Sequence, residues 1–199
     1  MVKLFGLLLC LLLFSSCGIL PIEGRYFGTK DSSIQHLGSK KTEFQQVVER
    51  WQKINPDGEF SYRVADNRSV TWNDITLMPQ KNSYEVSNGG QIIVTNASFQ
   101  QACEIAKVPE EELRWWIAQA EALKIFSICV VGTKLPAEER HVEIALRGSD
   151  LKAYGLIYVP DGHDKAFNLF LYQARMKQPP LIYTRLDYVE GRWFYFEEK

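Results

Sequence analysis

An excess of one charge is what this 199-residue chain most plainly lacks: 23 Lys and Arg stand against 24 Asp and Glu, a net charge of -1. That balance removes the electrostatic case for nucleic-acid binding. Long apolar runs are also missing. The longest uncharged apolar stretch, residues 4–14, is too short to cross a bilayer as a helix, which needs about 20 residues. With 46% hydrophobic residues the composition excludes a disordered chain, and no fixed-period repeat points to a solenoid.

Chemistry-bearing residues are scarce too. Only His36, His141 and His163 are present, and there is no H-E-x-x-H. Four cysteines include no C-x-x-C pair, which leaves neither a zinc ribbon nor a thioredoxin-type centre supported. No G-x-S-x-G elbow appears, and Gly89-Gly90 is not followed by the Gly-Lys-Ser/Thr of a phosphate loop. Asp161-Gly162-His163-Asp164 has metal-like residue types, yet its Gly and acids equally suit a tight turn. No catalytic residue, metal site or cofactor is assigned on these grounds.

What is present begins at the N-terminus. Lys3 precedes the apolar run 4–14, the length of a secretory h-region, and Ser15, Ser16, Cys17 and Gly18 follow. This start resembles the lipobox of bacterial lipoproteins, with Phe14 at -3, Ser15 at -2 and Ser16 at -1. The resemblance implies cleavage after Ser16 and lipid attachment at Cys17. Gly18 in place of Asp implies outer-membrane sorting, with the domain facing the periplasm. Ordinary secretion with cleavage beside Cys17, and an uncleaved anchor, are the alternatives.

The domain reading is then a signal peptide over 1–16, a lipidated tether over 17–38, and one α+β domain over 39–199. A flexible tether of that length spans roughly 25 Å. Cys103 and Cys129 remain as a candidate disulfide in an exported chain, or as two buried thiols.

Phe44, Val47, Val48 and Trp51 form a helical stripe that predicts a helix over 42–54, with Thr42 and Gln45 at capping-box spacing. Further helices are expected over 97–107, capped by Asn96, and from Pro109 onward, where Glu110, Glu111 and Glu112 suit a first turn. Asn88-Gly89 between β-prone runs predicts a hairpin. From 125 the period becomes two, with candidate strands 125–132, 140–147, 151–159, 167–176, 181–188 and 192–197. The expected fold is an antiparallel β-meander in the C-terminal half, packed with about three helices from the N-terminal half.

In strand 140–147 the alternation sets Val142, Ile144 and Leu146 inward, with His141 and Glu143 outward as an exposed ion pair. A turn at Glu190-Gly191 pairs Asp187 with Phe194 and Arg185 with Phe196, leaving both rings to a covering helix or to an exposed contact surface. The functional expectation is an envelope lipoprotein that binds another molecule or supports assembly. Its partners would be the membrane, through its lipid, and an envelope protein or an apolar ligand. An anchored hydrolase with a site assembled in space, and an inhibitor or immunity-type lipoprotein, are the competing classes.

Overall fold

The computed structural model describes residues 29–63, 67–131, 141–149, 152–160 and 183–198. Cys17, residues 1–16 read as a signal peptide, Asp161–Asp164 and the candidate strand 167–176 lie outside the described residues. The fold is mixed α+β. Four described helices, α1 (Lys30–Ser39), α2 (Lys41–Ile54), α3 (Phe99–Ala106) and α4 (Glu110–Leu123), accompany a ten-stranded antiparallel sheet.

Five strands precede α3: β1 (Glu59–Arg63), β2 (Ser69–Trp72), β3 (Ile75–Pro79), β4 (Tyr84–Asn88) and β5 (Gln91–Ala97). Five follow α4: β6 (Ser127–Val131), β7 (His141–Ser149), β8 (Lys152–Tyr158), β9 (Tyr183–Glu190) and β10 (Trp193–Glu198). The order is β5-β4-β3-β2-β1-β6-β7-β8-β10-β9. The sheet therefore runs through both halves of the chain rather than the C-terminal half alone. The two meanders join where β1 pairs with β6, through Phe60↔Ile128.

One core lies on the first face of this sheet. Helix residues Phe44, Trp51 and Trp116 share it with Phe60, Trp72, Ile128, Ile144 and Trp193 from the strands. Trp51 meets Trp116 at 5.0 Å and Trp72 at 5.3 Å between ring centroids, both edge to face, the arrangement that aromatic quadrupoles favour. Glu112 ties α4 to α2. Its carboxylate accepts from Arg50 Nε at 2.9 Å and from Trp116 Nε1 at 2.7 Å. One member of the triple Glu is thus a buried structural partner, not only a complement to the helix dipole.

Several local expectations are corrected. The tether reading over 17–38 meets a helix in its described part: α1 covers Lys30–Ser39, with Ser33 and Leu37 buried. Thr29 caps it by a reciprocal bond with Ser32, a signal obscured because Ser replaces the usual Glu or Gln. Helix α2 begins at Lys41 without a side-chain cap, so Thr42 lies inside it. Helix α3 is capped by Ser98 with Gln101, not by Asn96, which adopts a left-handed backbone with φ of 63°.

The predicted hairpin is present, but its two-residue turn is Gly89-Gly90, with φ of 54° and 83°, and Asn88 pairs with Gln91. Positive φ at both central positions fits the twist of the flanking strands, and glycine adopts it without steric cost.

The C-terminal hairpin differs by one residue from the expected register. Its turn is Gly191-Arg192, and an irregularity leaves Val189 unpaired, so Phe194 faces Tyr188 and Phe196 faces Leu186. A one-residue slip moves every side chain to the other face. Asp187 and Arg185 consequently oppose Tyr195 and Glu197 instead of the two phenylalanines.

Among the described glycines, Gly155 is the one whose missing Cβ lets neighbouring strand backbone come close. A Cβ there would lie 2.0 Å from the Ile144 carbonyl oxygen and 2.8 Å from Ala145 Cα. Backbone, unlike a flexible side chain, gives way only by distorting β7. Gly155→Ala is expected to lower unfolding free energy by about 3 kcal/mol in urea titration. A change below about 0.5 kcal/mol would contradict this close approach.

Candidate functional site

The second face of the sheet carries the chemistry. Phe194 and Phe196 lie on it at 4% and 1% exposure, clustered with Ala145, Ile157, Val159 and Tyr183. They are buried, and the expectation of an exposed contact surface at these rings is overturned. Here the strands are buried on both faces, so alternation no longer separates inside from outside.

The same burial corrects the reading of His141 and Glu143. His141 is 1% exposed and Glu143 is 6% exposed. His141 Nε2 lies 2.8 Å from Tyr183 Oη and 3.3 Å from Glu143 Oε1. The Cys129 thiol donates to Glu143 Oε2 at 3.9 Å. Pairing across β6 and β7 explains this, since Cys129 stands directly opposite Glu143.

Tyr183 reaches this group from β9, three strand spacings away in the order β7-β8-β10-β9. In a flat sheet that separation is about 14 Å, beyond the joint reach of Tyr and His side chains. The sheet must curl toward this face. Register irregularities in β7 and at both ends of β10 are the local devices that bend it.

Glu198 completes the cluster. It lies on the face of Phe194 and Phe196 by strand alternation and is 8% exposed. Burial, and the nearby Glu143 carboxylate, push its carboxyl up to about 7. Burial likewise pushes the Cys129 thiol well above its usual value, with Glu143, Glu59 and Glu198 adding repulsion. A thiol held protonated in this way is a poor nucleophile.

Whichever tautomer His141 adopts, its Nδ1 has no hydrogen-bond partner among the described residues. If Nε2 carries the proton, it serves Glu143 or Tyr183 while Nδ1 is a bare acceptor. If Nδ1 carries it, an N–H is buried unpaired. A base, two acids and a phenol thus converge without an activated nucleophile.

The other sequence candidates are dispersed. Cys103 and Cys129 are both free thiols. Cys103 sits on the buried side of α3 near Glu110 and Arg114, and burial pushes its thiol up to about 11. Cys129 lies among Glu143, Glu59 and Glu198 on β6, so the candidate disulfide is not formed. His36 is on α1, with Nε2 2.9 Å from the Leu123 carbonyl oxygen and its ring edge-on to Phe44. Burial lowers its pKa. Among the described residues no three His, Cys, Asp or Glu side chains are grouped to hold a metal ion, and no helix is long and apolar enough to cross a membrane.

Sequence reasoning missed Tyr183 and Glu198. Alternation from Phe194 through Phe196 carries Glu198 onto the same face, so that signal was there to be read. Tyr183 had none, because only the curl brings it to His141.

A second, open feature lies at the other end of the sheet. A recess of about 450 Å³ is formed by the β3–β4 turn and the end of β5. Its walls are held by Gln80 N donating to the Ser83 carbonyl oxygen at 2.8 Å and by Ser83 Oγ donating to Asn96 Oδ1 at 3.3 Å. Comparison with known protein families, curated proteins and solved structures found no match to this chain.

Proposed function

We propose that this chain is a lipoprotein of the cell envelope, anchored through Cys17, whose domain binds another molecule rather than transforming one. The lipobox-like start supports the anchor, and Gly18 supports an outer-membrane position facing the periplasm. One observation carries the binding role. The only described cluster that joins a histidine to carboxylates is closed to solvent, and its thiol is held protonated by burial. In this reading α2 and α4 form a supporting layer over the first face of the sheet, and the buried polar cluster fixes the curl of the second.

Hydrolysis is the second reading. It is favoured by His141 standing within hydrogen-bond reach of Glu143, the geometry a general base requires.

Metabolic acyl labelling of intact cells tests the anchor. Wild-type chain is expected to incorporate label and Cys17→Ala to incorporate none; equal labelling, or none in either, overturns it. Cross-linking in intact envelopes should recover a reproducible partner with wild type and lose it with the unanchored variant. Substrate turnover by the purified chain that is abolished by His141→Gln would reverse the ranking.

A further inference from the structure

The recess at the β3–β4 turn is chemically uniform. Three carboxamides line it, Gln80, Asn82 and Asn96, together with the hydroxyls of Ser83 and Thr95. Lys81 and Glu85 add one charge of each sign, and among the described residues no apolar or aromatic side chain contributes. We propose that this recess binds a neutral, polyhydroxylated glycan segment bearing acetamido groups.

The lining selects that class. Carboxamides and hydroxyls offer donors and acceptors side by side, the complement of vicinal sugar hydroxyls and of an acetamide. Lipids and apolar peptide side chains would find nothing to cover. An anionic polymer would gain nothing from a wall whose two charges cancel.

The backbone builds the opening. Strand β5 pairs with β4 through two irregularities, at Tyr84/Val86 and Val86/Ser87, where β5 carries the additional residues. Bulges bend a strand and re-aim its side chains. Asn96 sits at the first of these, between Val94 and Ala97, with φ of 63°, a conformation uncommon outside glycine. It is held there by Ser83 on one side and by the capped start of α3 at Ser98 on the other. The carboxamide is thus positioned before a ligand arrives, which lowers the ordering cost of binding.

Position agrees with the chemistry. The chain enters the described structure at Thr29, and Lys30 pairs with Asp187 on β9 at 3.0 Å, so the N-terminal side lies at the β9 edge. The recess occupies the opposite edge, nine strand spacings or about 43 Å away measured along the sheet. If Cys17 carries the anchor, as proposed above, this edge is the one farthest along the sheet from the point where the chain enters the described structure.

The test uses full-length chain in detergent micelles, titrated with the tetramer of N-acetylglucosamine and, separately, with the glucose tetramer and with heparin. Saturable binding of the first is expected, with at least about tenfold weaker binding of the second. Gln80→Ala combined with Asn82→Ala should weaken binding by about tenfold or more, as expected for two lost hydrogen bonds, with the unfolding midpoint unchanged. Three results would each overturn the proposal: no saturable binding, equal affinity in the double variant, or preference for heparin. The anchor is judged separately by acyl labelling, so glycan binding with no label defeats only the anchor, and label with no glycan binding defeats only this site.

Discussion

Truncation of Trp51 to alanine is expected to remove about 4 kcal/mol or more of unfolding free energy, the largest effect of any single change in this fold. The side chain is fully buried, and rings from a neighbouring helix and from two strands meet it. From α2 it touches Trp116 of α4, and from the sheet side it touches Phe60 and Trp72 at 6.4 and 5.3 Å. Removing it opens a cavity bounded by large rigid rings, which cannot collapse inward as aliphatic neighbours do. Each lost edge-to-face pair adds about 0.5–1.5 kcal/mol to the burial term.

A domain of this size has about 5–15 kcal/mol in total, so the variant should sit near its unfolding transition. Urea titration by tryptophan fluorescence should show a lowered midpoint at unchanged slope. Among the described residues the indole N–H of Trp51 has no hydrogen-bond acceptor, so packing accounts for its contribution. Trp51→Phe keeps a ring and relieves that unpaired donor, and it should lose less than half as much. A loss below about 1 kcal/mol for alanine would contradict the central position of this ring.

Much of this core was legible in the sequence. Phe44, Val47, Val48 and Trp51 recur at helical spacing, and all four are buried together in α2. The hairpin was legible from Asn88-Gly89, although its turn falls one residue later, at Gly89-Gly90.

What failed depended on distant partners. His141 and Glu143 were placed outward because alternation assumes that a strand has one wet face. In β7 that face is buried too, with Tyr183 of β9 reaching His141, and nothing within residues 141–149 encodes it. The cross-strand partners of Phe194 and Phe196 were misread, though not their face, because of a single unpaired residue, Val189, whose effect on register is invisible in composition. Helix α1 was hidden among small polar residues, since its docking rests on two buried positions and a Thr29–Ser32 cap. The candidate site suffered most: its His–Glu pair was visible at i, i+2, whereas Tyr183 joins it only through the curvature of the sheet.

That buried cluster makes stability depend on pH in an unusual direction. Glu198 has a folded-state pKa of about 7 against an ordinary value of 4.5, because burial and Glu143 both disfavour its charged form. Between those two values the folded chain holds a proton that the unfolded chain releases. Its contribution is therefore complete below about pH 4.5, declines as pH rises, and is lost once pH passes 7. A shift of this size corresponds to up to about 3 kcal/mol across that window.

Glu59, whose pKa is also raised chiefly by burial, adds a contribution of the same sign. Glu112 and Asp187 act oppositely, since their pKa values are lowered by Arg50 and by Lys30 with Arg185, and they lose their contribution only in acid.

Glu198→Gln keeps the shape and removes the charge. At pH 8 it should raise unfolding free energy by about 2 kcal/mol over wild type, and at pH 4.5 the two should agree within about 0.5 kcal/mol. Urea titrations at those two pH values supply the four numbers required. A gap between the proteins that stays constant with pH would show that Glu198 releases its proton at the same pH in the folded and unfolded chain. The Glu143 and Glu198 carboxylates would then be accommodated together beside His141, and the cluster would hold more charge than its burial suggests.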